Sequence, residues 1–281
     1  MVAEGRIKNR MGPGRAALLT ILLLSVSVQG ECAGWSEVCG GIQIGRFAVT
    51  QVSSAEEAPA VVLRIDPSKH RFRLMSALEH GGKSRTTRGW CEDFGLIAAI
   101  NAGMFKKDLQ SAGLMKEYGF TNNPRVNAAF GAFMLFNPKE PTLPKVRMVD
   151  SRTDKDWRSV LEQYHSAIQS YRMISGGKPV QWPLQDKANS VAAAGMDKDG
   201  MVLFILGRTP STPHDFIDFL LSLPIQIQNA MYLEGGDDTS MCARVDGQWA
   251  EWAGISSIEL LRTLQLTPSI PNVLGVLSPC P

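Results

Sequence analysis

Residues Glu234–Asp238, with the sequence EGGDD, carry side chains that could do chemistry, and they directly follow an apolar run that ends at Leu233. Three carboxylates within five residues repel one another unless they are solvated, protonated or bound to a cation. The two glycines allow the backbone a tight turn or a close approach to a ligand. A solvated acidic turn is the alternative, and it suits Asp237 and Asp238 better than Glu234, which ends the apolar run.

A second segment with chemical potential begins at Asn101, which ends the apolar run 96–100 and precedes Ala102 and Gly103. An amide at the end of a buried strand presents a fixed donor and acceptor at a sheet edge, where binding sites often form. An ordinary strand-ending turn is the alternative. The four histidines show no metal-ligand spacing and no GxSxG motif is present, so neither a metal site nor a serine hydrolase of that type is expected.

The elements that would position these segments are mostly short strands bounded by Gly, Pro, Asn or Asp. Runs with strand character cover residues 47–52, 60–65, 72–76, 96–100, 128–135, 146–149, 167–173, 191–196, 201–206, 230–233, 241–245 and 272–277. The pairs Asp199-Gly200 and Asp246-Gly247 predict hairpins. Helical spacing predicts one helix over 154–164 and another that is capped by Thr212 and ended by Pro224. We therefore expect an α+β fold with a large, mostly antiparallel or mixed sheet and a few covering helices.

The first thirty residues have the pattern of a secretory signal, with a basic start and a 13-residue apolar run, 16–28. We expect cleavage between about residues 30 and 34, leaving one domain over 31–281 in the periplasm or outside the cell. An uncleaved anchor helix is the alternative. No second long apolar run follows, so no membrane span is expected after cleavage. Removal of residues 1–30 takes four basic and one acidic side chain and changes the formal net charge from +2 to −1, which gives no electrostatic reason for nucleic-acid binding.

Five cysteines occur in the chain, and none of them forms a CxxC pair. Distant cysteines in an oxidising compartment usually form bridges. We therefore expect at least one disulfide among Cys39, Cys91, Cys242 and Cys280. The spacing leaves the connectivity open.

In combination, these motifs resemble those of the phosphodiester glycosidase family over about residues 45–279. The resemblance rests on the turn at 101–105, Gly113-Leu114, the glycine-aromatic strand at 131–135, the segments 170–177 and 194–200, the helix at 215–223 and Leu233–Gly236. Two departures stand out. At the family's Leu-Asp-Gly-Gly motif, this chain has Glu234 in place of the aspartate. The family also has an arginine shortly before the hairpin that matches residues 194–200, and residues 189–194 of this chain contain no arginine.

The resemblance implies a hydrolase that cleaves a sugar–O–phosphate bond in a glycan or glycoconjugate. Breaking an anomeric C–O bond builds oxocarbenium-like charge, which a nearby carboxylate stabilises. Glu234 is therefore the expected nucleophile or base, Asn101 is expected to hydrogen-bond the sugar, and Asp238 or Ser240 is expected to orient Glu234. A catalytically inactive glycan-binding envelope protein with the same fold is the alternative, and the missing arginine is its main support.

The remaining expected site residues concern ligand room and charge. Glycines at three positions would leave space for the substrate: Gly103, Gly235 and Gly236. A phosphodiester also needs a cation in place of the missing arginine, and the candidates in order are Arg208, Lys178 and Arg125. No cofactor is expected, and Ca²⁺ at Asp237 and Asp238 is the weaker alternative.

Overall fold

The computed structural model describes Met1 and residues 34–48, 60–182, 186–255 and 267–277. The predicted signal sequence after Met1, residues 49–52 of the run 47–52, and Cys280 lie outside these residues. Within the described residues, no helix is long and apolar enough to cross a bilayer.

The largest sheet contains eight strands, and each pair of neighbours is antiparallel. In spatial order they are β1 (Ser36–Cys39), β2 (Ile42–Phe47), β3 (Ala60–Ile65), β14 (Val202–Ser211), β13 (Asn189–Asp197), β15 (Ile227–Gly235), β11 (Arg172–Ser175) and β12 (Lys178–Pro179). The strand β15 leads directly into the acidic segment, so this sheet fixes the position of Glu234.

Two further antiparallel sheets have five strands each. One consists of β7 (Phe120–Asn123), β6 (Met115–Glu117), β10 (Tyr164–Ser170), β8 (Ala132–Pro138) and β9 (Val146–Asp150). The other consists of β17 (Gln248–Ala253), β16 (Ser240–Val245), β5 (Leu96–Asn101), β18 (Asn272–Leu277) and β4 (Arg71–Ser76). The second of these holds Asn101 at the end of β5, beside the strand that follows the acidic segment.

All three sheets turn one apolar face toward a shared central core. The outer face of each sheet is covered by one helix. The eight-stranded sheet packs against α3 (Pro213–Ser222), the sheet of β10 against α2 (Trp157–Leu161), and the sheet of β5 against α1 (Thr87–Phe94). Successive side chains of a strand point to opposite faces, so strands buried on both sides are apolar without alternation. In β14, for example, Phe204 enters the central core and Ile205 packs toward α3.

The predicted fold class is confirmed, as are both hairpins and the N-terminus of α3. Asp199-Gly200 connects β13 to β14, and Asp246-Gly247 connects β16 to β17. The Thr212 side chain accepts a hydrogen bond from the Asp215 backbone N–H, as expected for a helix cap.

Several predicted boundaries are wrong, and the reasons are local. The helix predicted over 154–164 is only five residues long, because Tyr164 already begins β10. The run 167–173 is divided at Tyr171 into β10 and β11, and residues 128–131 precede β8 instead of forming its start. Helix α1 was not predicted, because it is short and polar and buries only Thr87, Trp90 and Cys91. The short strands β1, β6, β7 and β12 also lacked a recognisable pattern, and β2 was not predicted, since the run 47–52 overlaps it only at Phe47.

Among the cysteines that the structure describes, Cys39, Cys91 and Cys242, one pair lies close enough to be bridged. The Sγ atoms of Cys91 in α1 and Cys242 in β16 lie 3.0 Å apart in the interior. Their contact and their burial raise the pKa of the Cys91 thiol. In an oxidising compartment, we expect an oxidant to take two hydrogens from these thiols and thereby to form a disulfide. By loop-closure entropy such a bridge would stabilise the fold by about 2–5 kcal/mol.

Peptide mapping of the denatured but unreduced protein checks this expectation. A linked peptide pair that contains Cys91 and Cys242 is the expected result, with Cys39 as the comparison because its thiol is partly exposed. Alkylation of both Cys91 and Cys242 without any reductant would contradict it.

Candidate active site

Glu234 lies at the end of β15, opposite Ala192 of β13, and is half-buried. Its Oε1 atom accepts a hydrogen bond of 3.0 Å from the Gly235 backbone N–H. Burial raises the pKa of the Glu234 carboxyl to about 7, and the negative charge of Asp238 acts in the same direction, whereas the Gly235 N–H opposes the shift. A carboxyl with such a pKa exchanges protons near neutral pH and is suited to acid–base or nucleophilic work.

Asn101 joins the two segments that the sequence singled out. Its Nδ2 atom donates to the backbone oxygen of Asp238, and its Oδ1 atom accepts from the backbone N–H of Ser240, both at 2.8 Å. Asn101 is only 1% exposed, so its amide holds the backbone of the acidic segment from the protein interior. The end of β5 and the segment after Glu234 therefore lie together, although more than a hundred residues separate them in sequence. This geometry supports a positioning role for Asn101 more than the expected hydrogen bond to a sugar.

We expect Asn101→Ala to lower the free energy of unfolding by about 2–4 kcal/mol, because the Ser240 N–H and the Asp238 carbonyl lose their partner in the interior. The same change should lower turnover, because the acidic segment loses its support. Asn123→Ala is the matched control. Asn123 is equally buried and also makes one donor and one acceptor bond to the backbone, with Ser111 and Arg125. Equal losses of turnover in both variants, measured beside chemical denaturation, would contradict the positioning role.

The two glycines of the acidic segment are required for different reasons. A Cβ atom at Gly235 would overlap the hydroxyl of Tyr232, whose ring folds back over this position. Gly236 has a φ of +79°, in the left-handed region that side chains disfavour, and it begins a 3₁₀ turn over Gly236–Asp238. The room at Gly235 is therefore occupied by Tyr232 and not left open for a ligand.

An open cleft of about 180 Å³ adjoins this turn. It is lined by Met104, Tyr171, Trp182, Asn189, Val191, Ser211, Pro213 and Tyr232. Met104 comes three residues after Asn101, and Tyr232 comes two residues before Glu234. Both candidate segments thus border the same cleft. Burial and the charge of Glu234 raise the pKa of the Tyr232 hydroxyl, which therefore stays protonated and able to donate.

Three further predicted site residues, Asp238, Ser240 and Gly103, lie in the acidic segment, just after it, and in the turn that follows Asn101. The half-buried Asp238 carboxyl has a raised pKa, first through burial and then through the charge of Asp237. Ser240 is fully buried, and among the described residues its hydroxyl has no hydrogen-bond partner, so its contribution here is the backbone N–H. Gly103 has a φ of +130°, and the space at its Cβ position faces Ile168 and Met115 of the central core.

The three candidate cations differ in their distance from the site. Arg208 lies within β14 and not in a loop, and its Nε atom donates to the Ala253 carbonyl. Lys178 is exposed in β12 beside the Gln228 end of β15, which places it about 20 Å along the sheet from Glu234. Arg125 is exposed after β7. Arg208 is near the acidic segment, because Gly254 follows its acceptor Ala253 and donates its N–H to the Thr239 carbonyl.

No salt bridge within the described ranges involves Glu234 or Asp238, so the carboxyl pair has no cationic partner there. No group of three or more His, Cys, Asp or Glu side chains suited to a metal ion is found in the part of the chain that the structure describes. The Ca²⁺ alternative at Asp237 and Asp238 stays an untested prediction.

Sequence patterns did not identify the aromatic wall of the cleft, formed by Tyr171, Trp182 and Tyr232. Tyr171 and Trp182 lie outside the two candidate segments and reach the cleft only through the pairing of β11 with β15. The one available signal was the position of Tyr232 two residues before Glu234. A register shift separates the two residues, since Glu234 pairs with Ala192 and Tyr232 with Ala193, so regular strand alternation does not specify the face on which Tyr232 lies.

A half-buried carboxyl with a raised pKa beside a small cleft is an arrangement typical of active sites. The sequence profile of the phosphodiester glycosidase family matches residues 94–277. The match covers well over half of the chain, which therefore belongs to the phosphodiester glycosidase family.

Solved structures show the same fold at low sequence identity. The catalytic domain of zebrafish N-acetylglucosamine-1-phosphodiester alpha-N-acetylglucosaminidase, auto-inhibited by its pro-peptide, is similar with a TM-score of 0.62 and 15% identity, over 84% of this chain and 83% of that one. A hypothetical protein from Synechocystis has a TM-score of 0.56 and 13% identity, over 84% of this chain and 62% of that one. No curated protein matches the sequence significantly.

Proposed function

We propose that this protein is an exported hydrolase that cleaves the sugar–O–phosphate bond of a glycan or glycoconjugate, with Glu234 as the reacting carboxylate. The observation that carries the proposal is the position of Glu234, half-buried at the end of β15 with a pKa raised to about 7. Family membership supports hydrolysis of a phosphodiester glycoside. A solvated Glu234 outside any cleft would have favoured the glycan-binding alternative.

In the proposed reaction the bond between the anomeric carbon and the bridging oxygen breaks. The bonding electron pair leaves with that oxygen on the phosphate, and water supplies the new hydroxyl of the sugar. Glu234 either attacks the anomeric carbon itself or removes a proton from the attacking water, and in both cases it must be ionised. The phosphate is a better leaving group than a sugar alcohol, so the reaction depends less on a strong general acid.

Three neighbours support this role of Glu234. Asn101 holds the backbone of Asp238 and Ser240, which fixes the turn that follows Glu234. The Asp238 carboxyl raises the pKa of Glu234 and keeps it in the range in which it exchanges protons at neutral pH. Arg208 stays the candidate cation for the phosphate, because two hydrogen bonds place it near the acidic segment. Its Nε atom donates to the Ala253 carbonyl, and the next residue, Gly254, donates its backbone N–H to the Thr239 carbonyl.

Turnover of a methyl phosphodiester of a sugar 1-phosphate tests the proposal, with an aryl glycoside of the same sugar as the comparison. We expect kcat/KM on the phosphodiester to rise with pH through about 7 and then to level off, because only the ionised Glu234 reacts. Asp238→Asn should move this rise to lower pH by a fraction of a unit, because it removes a negative charge that opposes ionisation of Glu234.

Glu140→Gln is the control for the pH profile, because it removes an exposed carboxylate from the turn between β8 and β9. It should leave the midpoint of the rise unchanged. A profile that falls between pH 5 and 8 would show that a protonated carboxyl is needed, and it would exclude the proposed role of Glu234.

A further inference from the structure

The two five-stranded sheets meet along β4. This strand is the outermost of its sheet and packs against β6 and β8 of the other sheet. The Asn137 Nδ2 atom donates to the Phe72 carbonyl and to the Ser166 hydroxyl, which links the two sheets. This contact, the sheet junction, consists of Phe72, Arg73 and Leu74 of β4 with Glu117 of β6, Asn137 of β8 and Ser166 of β10.

A carboxyl group is buried in the sheet junction with incomplete hydrogen bonding. Glu117 is 2% exposed, and its Oε1 atom lies 3.4 Å from the Arg73 Nε atom. The Ser166 hydroxyl and the Leu74 backbone N–H face the carboxyl. Among the described residues, however, neither oxygen of Glu117 has a partner with good hydrogen-bond geometry, and the same holds for the Arg73 Nε atom. Because a buried carboxylate without donors costs far more than the neutral acid, this geometry suits a protonated Glu117.

Two charged residues from β4 and the turn after it act on Glu117 in opposite directions. Arg73 favours the ionised form, but its side chain is 38% exposed, so solvent screens its charge. Glu79 favours the protonated form. Glu79 itself lies beside His80, with 3.6 Å between its Oε2 atom and the His80 Nε2 atom. These neighbours therefore do not offset the burial of the carboxyl.

The strands of the other sheet direct their charges away from the sheet junction. Lys116 precedes Glu117 on β6 and points to the opposite face of the strand, where its Nζ atom donates to the Leu161 carbonyl. On β10, the His165 ring stacks on the exposed Tyr118. The strands β7 and β8 contain no ionisable side chain. Burial therefore dominates and raises the pKa of Glu117 to about 7.

We propose that the sheet junction is a pH-sensitive contact, closed while Glu117 is protonated and opened locally when Glu117 is ionised. As the pH rises, the carboxyl gives its proton to water, and the carboxylate then needs hydrogen-bond donors that the closed junction lacks. Separation of β4 from β6 admits water to the carboxylate, so ionisation and opening are coupled. The inference does not depend on the proposed hydrolytic function, and its tests require no turnover.

A titration of the side-chain carboxyl groups by ¹³C NMR tests the protonation state directly. In the wild-type full chain labelled at glutamate, the resonance of Glu117 is the one that disappears in Glu117→Gln. We expect this resonance to titrate with a midpoint of about 7. A midpoint below about 4.5, the ordinary value, would show that Arg73 already stabilises the carboxylate in the closed junction, and it would overturn the proposal.

Hydrogen exchange at pH 5.5 and pH 8, followed by mass spectrometry, tests the opening. After correction for the intrinsic effect of pH on exchange, peptides that cover β4 and β6 of the wild type should lose protection by at least about tenfold. Glu117→Gln should abolish this loss. Glu234→Gln should retain it, although it also removes a carboxyl with a raised pKa. Unchanged protection of β4 in the wild type, or the same loss in Glu117→Gln, would overturn the proposal.

Chemical denaturation gives the sign of the effect. Because the pKa of Glu117 is raised from 4.5 to about 7 in the folded protein, its contribution to stability is present at low pH and is lost as the pH rises through this range. At pH 8, Glu117→Gln should therefore have an unfolding equilibrium constant about 10²-fold smaller than the wild type, whereas the two should be similar at pH 4.5. Glu140→Gln, which removes an exposed carboxylate, should follow the wild type at both pH values. A Glu117→Gln variant that is less stable than the wild type at pH 8 would mean that the ionised carboxylate stabilises the junction through Arg73, and it would contradict the proposal.

Discussion

Glu234→Gln is expected to lower kcat/KM on a sugar phosphodiester by about 10³-fold, because the variant can neither attack the anomeric carbon nor accept a proton from water. The fold should tolerate this change. The raised pKa means that the ionised form of Glu234 is disfavoured in the folded protein, so the carboxylate costs stability as the pH rises from about 4.5 to about 7. The neutral amide removes that cost, and thermal unfolding at pH 8 should therefore show no loss of stability.

Glu117→Gln is the matched control for Glu234. Glu117 lies in β6, is almost fully buried, and also has a pKa raised to about 7 by burial. Its Oε1 atom lies 3.4 Å from the Arg73 Nε atom, in contact with β4 and away from the residues that line the cleft. We expect Glu117→Gln to change stability and to retain turnover. Similar losses of kcat/KM in both variants would mean that Glu234 acts through the fold and not through the reaction.

Gly235→Ala is the second change with a large expected effect. The added methyl group would occupy the position of the Tyr232 hydroxyl and push this ring away from Glu234 and into the cleft. A displacement of about 1 Å at a reacting centre can cost about 10²-fold in rate, and we expect a loss of that size in kcat/KM. Tyr232→Phe alone measures the contribution of the hydroxyl and should have a smaller effect.

Partial recovery in the double variant Gly235→Ala/Tyr232→Phe would identify the clash as the cause. Without the hydroxyl, the nearest atom of the ring is Cζ at 3.1 Å from the added Cβ, a tight contact that a small shift relieves. Gly119→Ala is the control glycine, because its Cβ position has no neighbour within 4 Å. No recovery in the double variant would show that Gly235 is required for another reason, such as close contact with the substrate.

Local patterns in the sequence predicted those parts of the fold that depend on local physics. The hairpins at 199–200 and 246–247 follow from turn chemistry, and the strand Ala60–Ile65 follows from a bounded apolar run. The three-sheet arrangement depends on pairing between distant strands, such as β5 with β16 and β18, which no local pattern specifies. The same limit applies to the cysteines, since the contact of Cys91 with Cys242 exists only after α1 packs on β16.

The candidate site shows the same division. Glu234 and Asn101 could be identified because each ends a buried strand with a polar group. Their mutual position could not, because it depends on two hydrogen bonds from Asn101 to the backbone of the segment after Glu234. The expectation that Lys178 reaches the site did not allow for β12 pairing with β11, which places Lys178 level with Gln228, at the far end of β15 from Glu234. Sequence spacing therefore identified the reactive groups but not the distances between them.

Hydrolysis of a sugar phosphodiester in water enriched in ¹⁸O tests the central claim most directly, because it reports which bond breaks. Attack at the anomeric carbon, assisted by Glu234, places the label in the anomeric hydroxyl of the released sugar and leaves the phosphate monoester unlabelled. Mass spectrometry of the two products distinguishes this result from attack at phosphorus. Label in the phosphate monoester, or label in the sugar at an undiminished rate with Glu234→Gln, would contradict the proposal that Glu234 drives cleavage of the sugar–O bond.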